Sequence, residues 1–242
     1  MDITQLILSA MAALVALTIH EFAHGYTAYK LGDDTAKLRG RLTLNPAKHL
    51  DPFGVLCMMF FHFGWAKPVP IDPRNFKNPR RGFALTALAG PATNLIVGFF
   101  TAFFYLLCLT TFKETNVVFI NNLEVNILLF LLYFFSINIG LGIFNLIPVP
   151  PFDGSRVLNV ILPERTYFKI MRYERQIYWG VIAWLLLGQY VYYALLSIPF
   201  IANVPALSAI AKIFSLSDIL SGAINAIANG MLKFWRLIPM LR

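Results

Sequence analysis

Two histidines and a glutamate stand close together early in the chain, in LTIHEFAHGYTAYKLGDD at residues 17–34. His20 and His24 are four residues apart, so on a helix their imidazoles lie on one face, one turn apart. Two imidazoles in that arrangement can bind one zinc ion, and Glu21 beside them can take a proton from water. This H-E-x-x-H spacing predicts a zinc centre that activates water. The alternative is a chance match in a histidine-rich surface turn. The apolar run before His20 disfavours that alternative, because ionisable groups at membrane depth are costly unless they have a function.

A catalytic zinc ion has three protein ligands and one open position, so one more ligand is needed. The other histidines are His49 and His62, and we expect a carboxylate instead. Asp153 follows an apolar segment and three prolines in NLIPVPPFDG, and prolines end a helix and hold extended backbone. Asp153 is therefore the predicted third ligand. Taken by itself, it would be interpreted as a helix cap or turn residue, as in any Asp-Gly pair.

The elements that must position these residues are very apolar. Of the 242 residues, 58% are hydrophobic and 13% are charged, whereas a soluble domain is nearer half apolar and a quarter charged. This composition predicts an all-α polytopic membrane protein with about four to six membrane segments. We expect a single membrane-embedded domain over residues 1–242, with a catalytic core at about 3–175 and C-terminal helices at 176–242.

A segment needs about 20 mostly apolar residues to span a bilayer. Four segments meet this requirement: Ile3 to about Tyr29, Phe83–Thr111, Val125–Ile147 and Ile177–Phe200. The apolar stretch Pro52–Trp65 is too short to span and is predicted to be a re-entrant or interfacial hairpin. The stretch Ala206–Trp235 is interrupted by Lys212 and Asp218, so it could span the membrane or lie flat in the interface.

The connection between the first two spans, residues 35–79, is predicted to be non-helical. AKLRGRLTLNP at 36–46 alternates basic and apolar residues around Gly40, which is typical of a short β-hairpin. WAKPVPIDPRNF at 65–76 contains three prolines, which favour extended backbone and disfavour a central strand. The expected fold thus includes a small β-hairpin or extended element on the cytoplasmic side.

The basic residues are concentrated in alternate connections. Ten of the 20 Lys and Arg lie between Lys30 and Arg81, five from Arg156 to Arg175, and three from Lys233 to Arg242. By the positive-inside rule these connections face the cytoplasm, which brings the H-E-x-x-H motif and Asp153 to the same side. A nucleic-acid-binding surface is the alternative explanation of the net charge of +8, but no RNA- or DNA-binding motif accompanies it.

Three motifs together resemble the site-2 protease family of intramembrane zinc metalloproteases. They are HEFAH at 20–24, AGPATN at 89–94 and NLIPVPPFDG at 145–154. Their order and their placement in helices also fit that family. NPAKHLDPFG and GWAKPVP are similar to segments of its compact bacterial and archaeal members, without a PDZ or CBS domain. The resemblance covers residues 3–175, and the C-terminal quarter carries no motif of the family.

The resemblance implies a zinc endopeptidase that hydrolyses peptide bonds in or near transmembrane segments, with one Zn²⁺ per chain. His20, His24 and Asp153 would be the ligands and Glu21 the catalytic base. The implied partners are the lipid bilayer and a transmembrane substrate, expected to be single-pass; a homo-oligomer stays open and no nucleic acid is expected. The implied location is a prokaryotic cell membrane, with the active site towards the cytoplasm.

The resemblance further implies that Asn94 and Asn145 lie near the substrate. Such amides could bond an extended peptide or the developing oxyanion, and a hydrogen bond between helices is the alternative for each. His49 could line the site or only brace its loop. An unwound substrate also needs a strand edge for its backbone groups, for which Lys37–Leu44 and Trp65–Ile71 are the candidates.

Two rival functions stay open. A metal transporter would also place His and Asp within helices, although along a path and without a general base. An inactive relative could bind membrane helices without cutting them, but a pure binder has no need for Glu21. Zinc content and cleavage of a single-pass substrate, compared between wild type and Glu21→Gln, separate the three functions.

Overall fold

The computed structural model describes residues 2–51, 53–54, 66–112, 118–212 and 215–241. Within these ranges the chain is helical without named strands, and Leu50 and Ala66 form an isolated β-bridge. The helices are α1 (Ile3–Lys30), α2 (Thr35–Leu38), α3 (Pro79–Thr111), α4 (Val118–Asn145), α5 (Gly154–Ile161), α6 (Glu164–Met171), α7 (Glu174–Leu196), α8 (Pro199–Asn203), α9 (Pro205–Ala211) and α10 (Leu216–Trp235). Short 3₁₀ turns lie at Pro46–Lys48, Pro73–Asn75 and Pro239–Leu241.

Three helices are long and apolar enough to cross a membrane, namely α1, α3 and the Ile120–Asn145 part of α4. Helix α7 makes a fourth if Glu174–Trp184 and Leu187–Leu196, which are bent by 51°, count as one span. The predicted all-α polytopic membrane fold is therefore confirmed, with three or four spans in the described part of the chain. Helix α10 is not among these candidate spans.

Helix α3 begins one turn earlier than the apolar pattern predicts, because local capping extends it. The Asn78 side chain accepts a hydrogen bond from the backbone N–H of Arg81 at 3.1 Å. Pro79 occupies the first turn, where its missing N–H costs nothing. The helix therefore starts in a charged sequence that hydropathy alone assigns to the connection.

The predicted β-hairpin at 36–46 is wrong. Thr35–Leu38 form the single turn α2, whose first N–H, that of Thr35, donates to the Asp33 carboxylate at 3.0 Å. This local hydrogen bond favours a helical turn over a strand. Gly40 follows with a φ of +62°, a conformation suited to glycine. The predicted hairpin at Pro52–Trp65 lies outside the described residues, apart from Phe53 and Gly54.

The spanning helices α1, α3 and α4 pack on one another, α5 packs on α3, and α10 covers α4 and α3. Small residues face this interior, and they include Ala12, Ala16, Ala28, Ala87 and Ala102. Large apolar residues at four-residue spacing face outwards: Ile7, Met11 and Val15 on α1, and Ile96, Phe100 and Phe104 on α3. Small residues inside let helix backbones approach closely, and the apolar exterior suits lipid.

Candidate metal centre

Helix α1 places the two histidines of the H-E-x-x-H motif side by side in the interior. His20 and His24 are buried, with 5% and 7% of their surface exposed, and their Nε2 atoms are 3.0 Å apart. Asp153 lies in the turn after α4. Its Oδ2 is 3.1 Å from the His20 Nε2 and 3.2 Å from the His24 Nε2. The sequence-predicted ligands thus converge on one point from two distant parts of the chain.

The turn after α4 carries Asp153 back into the helix bundle. Phe152 is buried, and its ring packs on that of Phe144 with centroids 4.3 Å apart. A Cβ atom at position 154 would collide with the Leu146 carbonyl oxygen, so only glycine fits there. Asp153 occupies the position before α5 but its side chain makes no capping hydrogen bond. The carboxylate is directed at the histidines instead.

The three atoms fit a tetrahedral zinc ion. Ligands about 2.0–2.2 Å from one zinc ion at tetrahedral angles lie roughly 3.2–3.6 Å from each other, close to the separations observed. The trio is also the group of histidine, cysteine and acidic side chains, among the described residues, that meets the geometry of a metal site. With two imidazoles and one carboxylate, the donors match those of catalytic zinc centres that leave a fourth position open.

The other ring nitrogen of each histidine is held by an acceptor. His20 Nδ1 lies 2.5 Å from Asn94 Oδ1, and His24 Nδ1 lies 2.7 Å from the backbone oxygen of Thr86. Because each partner is an acceptor, each Nδ1 carries the proton and donates it. Both Nε2 atoms then present lone pairs to the metal position, the arrangement in which outer hydrogen bonds orient zinc-binding histidines.

Asn94 connects His20 to a further amide on the next helix. Asn94 Nδ2 donates to the Asn138 Oδ1 at 2.8 Å and to the Ala16 carbonyl at 3.3 Å. Asn138 Nδ2 in turn donates to the Phe134 carbonyl at 2.7 Å. Asn94 and Asn138 are both fully buried. The chain of amides therefore links α1, α3 and α4 behind the metal position.

Asn138 is not among the residues that the sequence motifs mark. The available signal was its position seven residues before Asn145, two turns earlier on the same apolar helix. A buried amide in an apolar helix must find a partner, and Asn94 is that partner.

Glu21 has a different environment from its neighbouring histidines. Its Oε2 accepts a hydrogen bond from the backbone N–H of Val69 at 2.8 Å. Val69 belongs to the non-helical segment that precedes α3 and lies outside the spanning helices. The predicted base is thus held by main chain, whereas the two histidines are held by a helix-borne side chain and a helix carbonyl.

The remaining predicted site residues do not join the metal position. Asn145 Nδ2 donates to the Leu141 carbonyl of its own helix at 3.0 Å. His49 is buried in the connection, where its Nε2 lies 2.8 Å from the Thr43 carbonyl oxygen and its own carbonyl accepts from Lys67 N at 2.8 Å. These hydrogen bonds of His49 lie within the connection. A contact of Asn145 or His49 with substrate stays a prediction.

Gly90 of the AGPATN motif gives the histidines their space. A Cβ atom at this position would lie 2.5 Å from the His24 Nε2 and 2.7 Å from the His20 Cε1. Such contacts are too short for any side chain, so α3 can approach α1 at this level only through a glycine.

Comparison with known proteins identifies the relatives of this chain. A family model, Peptidase family M50, matches residues 8–188. The chain is 42% identical over 193 residues to "Putative zinc metalloprotease YwhC" of Bacillus subtilis (strain 168), covering 76% of this chain and 83% of that protein. It is 30% identical over 159 residues to "Putative zinc metalloprotease Rip2" of Mycobacterium tuberculosis (strain ATCC 25618 / H37Rv), covering 63% and 56%. It is 31% identical over 152 residues to "Zinc metalloprotease MJ0392" of Methanocaldococcus jannaschii, covering 62% and 33%. No solved structure matches the chain significantly.

Proposed function

This chain belongs to peptidase family M50 and is a multi-pass membrane zinc metalloprotease, and we propose that it cuts membrane proteins in or near their transmembrane segments. One observation carries the proposal: the two histidines and Asp153 meet inside a bundle of helices long enough to span a bilayer. The peptide bond must therefore reach the site from within or beside the membrane. The substrate we expect is a single-pass protein.

The position of the motif in α1 sets the depth of the proposed site. His20 lies ten residues before Lys30, where α1 ends, which corresponds to roughly 15 Å along a helix. The hydrocarbon core of a bilayer is about 30 Å thick, so a span of this kind places His20 well inside it. We propose that the Lys30 end of α1, which leads into the basic connection, lies in the cytoplasm, following the positive-inside rule.

Each proposed catalytic group has one task. His20, His24 and Asp153 would hold the zinc ion, which lowers the pKa of water and polarises a carbonyl when it is bound. Glu21 takes the proton from the attacking water and later gives it to the leaving amine. The Val69 N–H engages only Oε2 of Glu21, which leaves Oε1 for the proton.

We assign Asn94 to the orientation of His20. Its Oδ1 faces His20 and its Nδ2 has two acceptors, Asn138 and Ala16, so both amide hydrogens are used. This favours the hydrogen bond between helices over a direct contact with substrate. Asn145 is bonded only within its own helix among the described contacts, and a substrate role for it stays a prediction.

The substrate must also unwind, because a helix hides its carbonyl groups in its own hydrogen bonds. Hydrocarbon cannot satisfy the freed groups, so an extended part of the enzyme must do so. Trp65–Ile71 is the better candidate edge, because Val69 within it contacts Glu21 and its residues 66–71 are not helical; Trp65 lies outside the described residues. The other candidate, Lys37–Leu44, begins within helix α2.

Cleavage of a reconstituted single-pass substrate by wild type and Glu21→Gln, at matched zinc content, tests this function. Glutamine keeps the shape of the side chain but cannot accept the water proton, and loss of a positioned base typically costs 10²–10⁴-fold in rate. We expect zinc to stay bound and the uncut substrate to co-purify better with the variant. If Glu21→Gln cuts at the wild-type rate, the mechanism is wrong, and the metal site would have to serve transport or structure.

Cysteine labelling tests the proposed orientation of the chain in the membrane. Single cysteines at positions 48, 74 and 165 should be labelled from the cytoplasmic side, and a cysteine at position 114 from the outside. Position 114 lies outside the described residues. Labelling of position 74 from the outside would contradict the proposed orientation.

A further inference from the structure

The segment next to Glu21 has an unusual backbone. Val69 stands between Pro68 and Pro70, and proline has no N–H. The Val69 N–H is therefore the only backbone donor in this tripeptide, and it bonds Glu21 Oε2 at 2.8 Å. The two prolines also fix their own φ angles, so this donor is presented from a stiff, extended chain.

Side-chain and main-chain contacts hold the beginning of this segment in place. Arg41 Nη2 donates to the carbonyl oxygens of Lys67 at 2.7 Å and Pro68 at 3.2 Å. The Lys67 N–H donates to the carbonyl of His49 at 2.8 Å. These hydrogen bonds fix the chain directly before Val69.

A buried carboxylate holds the other end. Asp33 is fully buried, and its Oδ2 accepts from the Asp72 N–H at 2.7 Å. Its Oδ1 accepts from Asn75 Nδ2 at 2.8 Å and from the Thr35 N–H at 3.0 Å. The metal site does not involve Asp33, so its four-residue network serves the connection that carries Val69.

The Val69 side chain packs onto α1 as well. It is 7% exposed, and its Cγ1 lies 3.1 Å from the place where a Cβ of Gly25 would stand. Gly25 is one turn after Glu21, on the same face of α1. The side chain and the N–H of one residue thus contact α1 at two successive turns.

We propose that Val69 is a positioning residue of the peptidase, whose backbone N–H orients the Glu21 carboxylate for proton transfer. This inference rests on the proposed function, in which Glu21 is the base. Orientation matters because a misplacement of about 1 Å at a reacting group can cost 10²-fold in rate. Residues 67–72 act as a brace, and Arg41 and Asp33 fix its two ends.

The kinetic experiment removes the N–H without changing the side chain. Nonsense suppression at codon 69 with 2-hydroxyisovaleric acid replaces the amide by an ester, and suppression with valine is the matched control. We expect kcat to fall roughly ten- to hundredfold, since hydrogen bonds to charged groups are strong, with KM and zinc occupancy within about twofold of the control. An unchanged kcat would overturn the proposal. So would a rise in KM alone, because it would show that the N–H binds substrate.

A second measurement tests the contact without using activity. The chain contains Pro-Val only at 68–69 and 148–149, so carbonyl-¹³C proline with ¹⁵N-valine selects two amides in an NMR spectrum. The Val149 N–H bonds the Ile147 carbonyl at 2.8 Å and serves as internal control. In Glu21→Ala, the Val69 amide should exchange with solvent at least about tenfold faster than in wild type, whereas Val149 should not change.

The two measurements separate this inference from the proposed function. If Glu21→Ala leaves the exchange of Val69 unchanged, the contact does not exist and the inference is wrong. If the exchange accelerates but zinc-loaded wild type cuts no membrane substrate, the proposed function fails while the contact stands. A loss of kcat in the ester with accelerated exchange in Glu21→Ala supports both.

Discussion

The two sides of the H-E-x-x-H turn are supported by different parts of the molecule. His20 and His24 are oriented from within the bundle, through Asn94, Asn138 and the Thr86 carbonyl. Glu21, between them in sequence, is contacted by the main chain of a connection that lies outside the spanning helices. Within one turn of α1, the histidines are therefore held by neighbouring helices and the glutamate by a connection.

The difference fits the roles proposed for these groups. A metal ligand needs one tautomer and one direction, which fixed hydrogen bonds between packed helices provide. A general base must keep one oxygen free while the other is held, and a single N–H donor does this. The arrangement also separates the effects of mutations: changes in the bundle should alter zinc affinity, and changes in the connection should alter turnover.

The largest effect is expected from the ligands themselves. His20→Ala, His24→Ala and Asp153→Ala each remove one of three donors, so each should lose most bound zinc and all measurable cleavage. The measurement is the zinc content of the purified proteins by elemental analysis. The wild-type sequence, produced by suppression with valine at codon 69, is the handling control. Full zinc retention in Asp153→Ala would show that another carboxylate is the ligand, and Asp51 would be the next candidate.

A large effect is also expected from Gly90→Ala. The new methyl group would lie 2.5 Å from the His24 Nε2, so the rings or α3 must shift, and zinc affinity should fall about tenfold or more. A competitive chelator titration measures this. Gly222→Ala is the matched control, because a Cβ there meets nothing within 4 Å. In that control, zinc affinity should stay unchanged and stability should rise by up to about 1 kcal/mol.

The amide chain should give a graded response. Asn94→Ala removes the acceptor of His20 and should weaken zinc binding by about 10–100-fold. Asn138→Ala acts one step further away and should weaken it less. Asn145→Ala, on the same helix as Asn138 but bonded within it, should leave zinc affinity unchanged. Equal zinc affinity in Asn94→Ala and wild type would contradict the proposed role of Asn94.

The smallest effect is expected from the connection, through Asp33. Burial raises the pKa of its carboxyl, but hydrogen bonds from Thr35, Asn75 and Asp72 outweigh burial and hold the pKa below the ordinary 3.8. The ionised form is thus favoured by folding, so its stabilisation is present above pH 3.8 and is lost as the pH falls through the lowered value. Asp33→Asn should cost about 1–3 kcal/mol at neutral pH and remove this acid-side dependence.

Thermal unfolding of detergent-solubilised protein as a function of pH measures the effect of Asp33→Asn. Zinc affinity should stay unchanged, because the metal ligands are held by the bundle. A large loss of zinc from Asp33→Asn would show that the connection also supports the ligands, and the two sides of the motif would then not be separable.

Local sequence determined the parts of this protein that depend on spacing and hydropathy. Helical geometry alone places His20 and His24 on one face, and the length of the apolar runs gives the spans within a turn or two. Asp153 was predicted because the charge pattern brings this carboxylate to the same side of the membrane as His20 and His24; by itself its Asp-Gly sequence indicates a cap or a turn. The alternation of basic and apolar residues at 36–46 predicted a hairpin that does not form. The Thr35 N–H bonds the Asp33 carboxylate instead, and this local hydrogen bond favours a helical turn.

Only the tertiary structure decided which groups form hydrogen bonds that orient the proposed ligands and the proposed base. The pairing of Asn94 with Asn138 depends on how α3 and α4 pack, and no spacing within one helix reveals a partner on another. The contact to Glu21 comes from a backbone N–H, which every residue except proline has, so no residue type marks it in advance. The sequence by itself predicted the proposed reacting groups, and the packing of three helices and one connection determined which groups orient them.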